Sequence, residues 1–433
     1  MVASGLVLVW QRKDFFDGII FIYSAFSIFN GGQILLIATI GLPTGKGFLD
    51  DHFPLQQEAN LIALVGFSCI SMAFGMALAN LSPSSHSTNN NNPYLILRYK
   101  KSLTLLGFAL LSVTIFPYVY EVQIYLQNLF ASGRYGMFGD GDRTGLEASG
   151  KILFHAFPIS GLLLIAGGKK NSFWLLLGLM VCIVNLSFHL YLGNRGYAVM
   201  PMLAAIWLID RLHYKFSRIW LGLTGIATLS IFFPMIRFYR SSSGNNILLN
   251  NDLEVSALDL IRYSFYELGN NLRIVGWISG IIQEHGLQWG EIYIRALSTV
   301  IPNIFWEVHW GVQGIIVRKE IKMYVREEVL GWDKQMGWGG SMLAEAWLNF
   351  GLYGSVLTIG ILGYFFSSLH RWSIKGSNPA RLFVFSVLLS SVFMAIRGDF
   401  HQLVRPFFWH GVLFFLLAVV LTHYKPQINP QKS

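Results

Sequence analysis

Charge is what this sequence has least of. Asp, Glu, Lys and Arg together make up 13% of its 433 residues, against roughly 25% in a soluble domain. So few charges cannot solvate a globular surface, which excludes an ordinary soluble enzyme. The 53% hydrophobic content and mean hydropathy of +0.49 describe a multi-pass membrane protein instead. Cysteine is almost absent: Cys69 and Cys182 both fall inside apolar runs, which excludes a disulfide framework and a thiolate metal site. No internal repeat is visible, which argues against transporter folds built from paired halves. The opening run Met1–Trp10 lacks the small-residue cleavage pattern of a signal peptide and is too short to span.

Apolar runs are what the chain has in abundance. A helix crossing the ~30 Å hydrocarbon core needs about 20 apolar residues. Ten stretches qualify as candidates: 16–41, 59–80, 102–121, 151–167, 173–192, 197–210, 217–236, 341–365, 381–396 and 404–422. Ten crossings put both termini on one side. The loops on that side carry Arg12 and Lys13; Arg98, Lys100 and Lys101; Lys169 and Lys170; Arg211, Lys215 and Arg218; Arg371, Lys375 and Arg381; and Lys425 and Lys432. Each is basic, and acids there are confined to Asp14, Asp17 and Asp210, so these loops are assigned to the cytoplasm. The net charge of +9, which in a soluble protein would point to nucleic acid, is here largely a topological signal. The expected fold is an all-α polytopic membrane protein: about seven helices over 1–236, a helical cap on the outer side over 237–340, and about three helices over 341–433. In the cap, Ala257–His285 and Glu291–Ile301 read as amphipathic helices. Ile274–Ile282 is too short to cross.

Against that frame the arginines are misplaced. Nine of fourteen lysines map to the inner side, as expected, but twelve of eighteen arginines map to the outer side. Arginine carries a permanently charged planar fork that grips phosphate oxygens in pairs. An outer face rich in arginine therefore points to a phosphorylated, membrane-anchored substrate. Gly193-Asn194-Arg195-Gly196 joins two spans almost without a loop. The run that follows, Tyr197–Ile209, is about 13 residues, or roughly 20 Å of helix. That length places Arg195 below the outer surface, where ionisable groups usually face a site. Arg397 and Arg405 bracket a second short outer turn that also holds Asp399 and His401. Arg237, Arg240, Arg262, Arg318 and Arg326 of the cap read as snorkelling or paired groups. Arg273 and Arg295, on semi-apolar helical stretches, are open to either reading.

One carboxylate stands out. Glu345 lies about one turn into an apolar run that begins after Gly339-Gly340, with Ser341 and Asn349 four residues to either side on the same face. At that depth a glutamate needs a partner or a proton. It suits a general base for a hydroxyl nucleophile, or a structural pairing with an arginine. Other signals carry less. Asp140-Gly141-Asp142 matches a metal-binding pattern of three residues but reads as a solvated turn, and the histidines lack metal-ligand spacing, so no metal or other cofactor is expected. Seven of thirteen tryptophans lie between Trp277 and Trp347, where they fit either sugar stacking or an interfacial belt.

Taken together, Gly193–Gly196, the stretch ending in Ile301-Pro302-Asn303-Ile304-Phe305-Trp306, Gly340 through Glu345 to Asn349-Phe350-Gly351, and Arg397-Gly398-Asp399 resemble the Wzy-type O-antigen and oligosaccharide repeat-unit polymerases. Ser132-Gly133-Arg134-Tyr135-Gly136 adds to the likeness. The resemblance implies a membrane glycosyltransferase, GT-C-like, in the bacterial inner membrane, with both termini cytoplasmic and the active site facing the periplasm. Its substrate would be an undecaprenyl-pyrophosphate-linked oligosaccharide held among membrane lipids. The growing glycan would pass with inversion to the non-reducing end of a new unit. No nucleic acid is implied, and a chain-length regulator is the protein partner left open. Glu345, Arg195 and Arg397 would be catalytic; Arg273, Arg295, Arg405, Asp399, His401, Ser341 and Asn349 would bind substrate. The related O-antigen ligases carry a histidine in an outer segment; here Glu345 stands in the Ser-to-Gly helix with no His-Asn pair, which favours polymerase over ligase. A lipid-linked glycan flippase is the reading from another class.

The orientation has a direct check. Single cysteines at 195 and 397, in a chain otherwise free of cysteine, should react with an impermeant thiol reagent added to the periplasmic side of intact membranes. Labelling only after permeabilisation would reverse the assignment.

Overall fold

The structure, a computed structural model, describes residues 1–12, 14, 16–51, 53–81, 93–136, 146–228, 257–301 and 340–423. Among these residues there are helices and turns but no strand. In chain order the helices are α1 Val2–Arg12, α2 Gly18–Thr39, α3 Leu55–Leu81, α4 Pro93–Gly136, α5 Leu146–Gly167, α6 Phe173–Tyr191, α7 Arg195–Leu212 and α8 Arg218–Ala227. They continue as α9 Ala257–Leu268, α10 Asn271–His285, α11 Glu291–Ser298, α12 Met342–Ile374, α13 Pro379–Ile396, α14 His401–Pro406 and α15 Leu413–His423.

Seven helical stretches are long and apolar enough to cross a membrane: α2, α3, α4, α6, α12, α13 and the run His401–His423. The all-α polytopic architecture expected from the sequence is therefore present. Three of the ten expected crossings differ from these seven. The fourth is the shorter apolar stretch Leu153–Gly167 within α5. The sixth is α7, and the seventh begins as α8 and continues into 229–236, outside the described residues. α7 is also longer than its apolar run: it starts at Arg195 itself and has 18 residues, about 27 Å at 1.5 Å per residue. That length is still short of the ~30 Å hydrocarbon core.

Local chemistry sets many of the helix ends. Asp17 caps α2 by accepting the Ile19 amide at 2.9 Å, supplying one of the partners that first-turn amides lack. Gly41, at φ +81°, closes its other end with its amide on the Leu36 carbonyl at 2.7 Å. Ser172 caps α6 in the same way through Leu175. Gly193, at φ +74°, turns the chain sharply enough for α7 to follow α6 after Asn194.

The chain divides into two compact units that cut across the three-part order of the sequence. One comprises Met1–Pro83, Phe216–His370 and Val392–Arg405, the other Ser84–Lys215, Arg371–Ser391 and Pro406–Ser433. In the first, glycines let α3 and α12 approach at backbone distance. A methyl group at Gly75 would run into the Gly360 carbonyl, and one at Gly363 would lie 2.5 Å from the Met72 carbonyl. Small residues serve membrane helix contacts this way because packing, not water exclusion, drives association there. The amphipathic stretch Ala257–His285 is two helices, parted where Gly269 lies against Gly32 and Gln33 of α2. α10 buries every residue from Asn271 to Ile278 and packs on α2 and α3. In the second unit, Tyr118 of α4 stacks on Phe157 of α5 at 3.9 Å, within a core that includes Phe154 and Val181.

The α3–α12 crossing makes a sharp prediction. Gly75→Ala should lower thermal stability in detergent by about 1–3 kcal/mol through overpacking. Gly66→Ala on the same helix, with nothing within 4 Å of its added methyl, should leave stability close to wild type.

Candidate active site

Glu345 sits in a helical segment that is shorter than its span. Ser341 precedes α12 and places its Oγ 3.4 Å from the Ala344 amide, an N-cap arrangement. Ten residues later Gly351 adopts φ +71° and interrupts the helix. The break leaves the carbonyls of Leu348 and Asn349 without intrahelical donors. The turn between α10 and α11 supplies them: the amides of Gln288 and Trp289 bind those two carbonyls at 3.0 and 2.8 Å. The Asn349 side chain completes the junction, donating to the Glu345 carbonyl at 2.8 Å and accepting from the Gly290 amide at 3.0 Å. The run from Ser341 to Gly351 is thus a separate capped helix, held at both ends.

The carboxylate is 1% exposed. The Phe400 amide donates to Glu345 Oε2 at 2.8 Å, which ties the segment to the turn bearing Arg397 and Arg405. The second oxygen, Oε1, takes no hydrogen bond among the described residues. Asp399 is also buried and interacts electrostatically with Glu345. A Cβ on Gly340 would stand 2.6 Å from Asp399 Oδ1, so that glycine is there for close approach to a neighbour. Two more contacts fix the turn and the cap: Asn271 Nδ2 of α10 donates to the Ile396 carbonyl at 3.0 Å, and Ser341 Oγ donates to Asn30 Oδ1 at 3.1 Å.

Of the residues singled out in the sequence, Glu345, Asp399, Ser341 and Asn349 come together. Ser341 and Asn349 act on the helix itself, as cap and as clasp of the break. Arg397 is exposed, with its guanidinium 5.9 Å from the Phe29 ring, next to the Asn30 that receives Ser341. His401 opens α14 and Arg405 lies exposed near its end. Arg273 is buried, donates to Tyr266 Oη at 2.9 Å and stacks over that ring. Arg295 forms an i,i+4 ion pair with Glu291, and Arg262 holds the Ile40 carbonyl at the end of α2. Arg195 begins α7 in the other unit, and its side chain lies outside the described residues. Arg134, as a side chain, and Arg237, Arg240, Arg318, Arg326, Asp140 and Asp142 lie outside them too. Among the described residues no group of three His, Cys, Asp or Glu is arranged to hold a metal ion.

Sequence reasoning missed Asn30, Asn271 and Tyr293. Asn30 left a signal, as a polar residue beside Gly31-Gly32 in an otherwise apolar span. Tyr293 left none. Its ring stacks on Phe350 and meets Phe400 edge-on at 5.0 Å. Its hydroxyl is buried with no hydrogen-bond partner among the described residues. Burial first, and the charge of Glu345 second, hold the phenol well above its ordinary range, so it stays protonated.

A model of the family described as O-antigen polysaccharide polymerase Wzy matches residues 1–425. The chain belongs to that family. The match covers both compact units, and with the membrane-crossing helices it makes the protein a multi-pass polymerase of polysaccharide repeat units. No curated protein and no solved structure matches the chain.

The helix break and the buried phenol give opposite expectations for two substitutions. Asn349→Ala strands the Gly290 amide and should cost about 1–3 kcal/mol of stability. Tyr293→Phe removes a hydroxyl that bonds to nothing described and should leave the melting temperature of the polymerase unchanged or raised. Thermal unfolding of purified variants in one detergent decides both.

Proposed function

We propose that this polymerase moves a growing glycan from undecaprenyl pyrophosphate onto the non-reducing end of a new lipid-linked unit, with Glu345 as the base. The single observation behind this reading is the disposition of Glu345. Its buried carboxylate has one oxygen fixed by the Phe400 amide and the other left to accept a proton. It sits against the turn flanked by two exposed arginines, Arg397 at its start and Arg405 in α14.

The chemistry follows. Glu345 Oε1 takes the proton of the acceptor hydroxyl as that oxygen attacks the anomeric carbon of the donor glycan. The bond from that carbon to pyrophosphate breaks, and undecaprenyl pyrophosphate leaves with the electron pair. One displacement inverts the anomeric centre. Pyrophosphate leaves without protonation, so the second carboxylate that a glycosidase uses as general acid is not required. Arg397 and Arg405 grip the diphosphate and oppose its developing charge, a form of stabilisation that often supplies the largest catalytic gain. Asp399 and His401, on the same turn, orient the acceptor. Burial of Glu345 keeps water away from the base, which favours the sugar hydroxyl over hydrolysis. The reaction takes place at the periplasmic face of the inner membrane, in a GT-C-like fold.

Purified full-length protein given lipid-linked repeat units should produce longer glycans. Glu345→Gln preserves the acceptor for the Phe400 amide and should reduce the rate by about 10²–10⁴ without unfolding the protein. Arg397→Ala should weaken donor use more than acceptor use. Transfer to a lipid A core, or unaltered polymerisation by Glu345→Gln, would overturn the reading.

A further inference from the structure

The second compact unit carries a groove that the polymerase reaction does not use. A cavity of about 580 Å³ opens between the first turns of α4 and the tight link from α5 to α6, and its lining includes Lys100, Lys101 and Lys169. Leu97, Leu105, Phe108 and Trp174 form its apolar side. The volume lies in the range of roughly 300–1,000 Å³ typical of small-ligand sites.

Its frame is tightly set. A Cβ on Gly167 would stand 2.5 Å from the Thr104 amide nitrogen and 2.7 Å from the Lys100 carbonyl, so α4 and α5 touch backbone to backbone beneath the lysines. Ser172 Oγ receives the amides of both Lys169 and Leu175, which fixes the link. Phe108 and Trp174 meet edge to face at 5.8 Å.

Nearby, Arg98 lies over the Tyr94 ring and Lys170 over the Tyr214 ring, whereas no carboxylate pairs with Lys100, Lys101 or Lys169 among the described residues. The stretches 82–92 and 424–433, which the charge distribution puts on the same side, contain no Asp or Glu at all. Three ammonium groups that pair with no carboxylate among the described residues, beside the exposed apolar side chains of Leu105 and Phe108, match one kind of molecule: an anionic head on an apolar body. We propose that this groove binds an anionic phospholipid, with the headgroup phosphate among the three lysines and the acyl chains along Leu105, Phe108 and Trp174. A soluble anion would leave those aromatic and leucine faces uncovered. The site is independent of the reaction at Glu345.

Native mass spectrometry of the full-length protein, titrated with phosphatidylglycerol or phosphatidylcholine, tests this. Wild type should bind the first phosphatidylglycerol at least tenfold more tightly. The triple variant Lys100→Gln, Lys101→Gln, Lys169→Gln should lose most of that preference, since each basic residue near the surface contributes about fivefold. The triple Lys→Arg variant should retain it, as should Arg98→Gln with Lys170→Gln, and Trp174→Ala should weaken both lipids. Equal binding of the two lipids by wild type, a full preference in the triple Gln variant, or displacement of the lipid by millimolar inorganic phosphate would each overturn the proposal.

Discussion

A carboxyl group buried in the first turn of a membrane helix needs a partner or a proton, and the amide of Phe400 is the hydrogen-bond partner of Glu345. That one bond couples two distant parts of the chain, the capped segment after Gly340 and the turn between α13 and α14. The segment can meet the turn because it is short. Gly351 stops it, and the Gln288–Gly290 turn takes up the carbonyls and side chain released by the break. A continuous helix would have no such opening in its hydrogen-bond ladder for the α10–α11 turn to enter. Interrupted helices of this kind commonly carry sites within membranes, since their freed backbone groups need partners other than lipid.

The arginines divide by what surrounds them. Arg262, Arg273 and Arg295 have partners within the protein: a helix-end carbonyl, a tyrosine and a glutamate one turn away. Arg397, over the Phe29 ring, and Arg405, near the end of α14, are exposed residues flanking the turn that holds Glu345. Among the described residues, Arg262 and Arg273 thus tie α9 to the end of α2 and to α10. The lysines of the second unit separate similarly, with Lys170 stacked on a ring and Lys100, Lys101 and Lys169 around a groove.

Much of this was legible in the sequence, for physical reasons. Hydropathy marks spans because lipid admits only satisfied helices, and seven of the expected crossings are helices of the required length. Glu345 was readable because an acid inside an apolar run is chemically distinctive, whereas the break at Gly351 was not, because the apolar run continues across it to 365. The length of α7 was not, because polar residues at a helix end extend the helix without extending the apolar run. The break at Gly269 was not, because amphipathic periodicity survives a change of direction. Tyr293 was hidden for a different reason: an aromatic residue on an amphipathic helix looks the same whether it meets lipid, solvent or a carboxylate.

By itself the sequence determined that the chain lives in a membrane, which loops are basic, that Glu345 is costly where it stands, and which family it resembles. The first three follow from composition and from side-chain chemistry that is local in the chain, and the resemblance rests on short motifs. Only the tertiary structure decided that Ser341 and Asn349 maintain a helix, that Arg273 and Arg295 are held by neighbours, and that Phe400 is the residue that grips Glu345. Those outcomes depend on contacts between residues tens to hundreds of positions apart. Packing decides them, and one-dimensional periodicity carries no record of it.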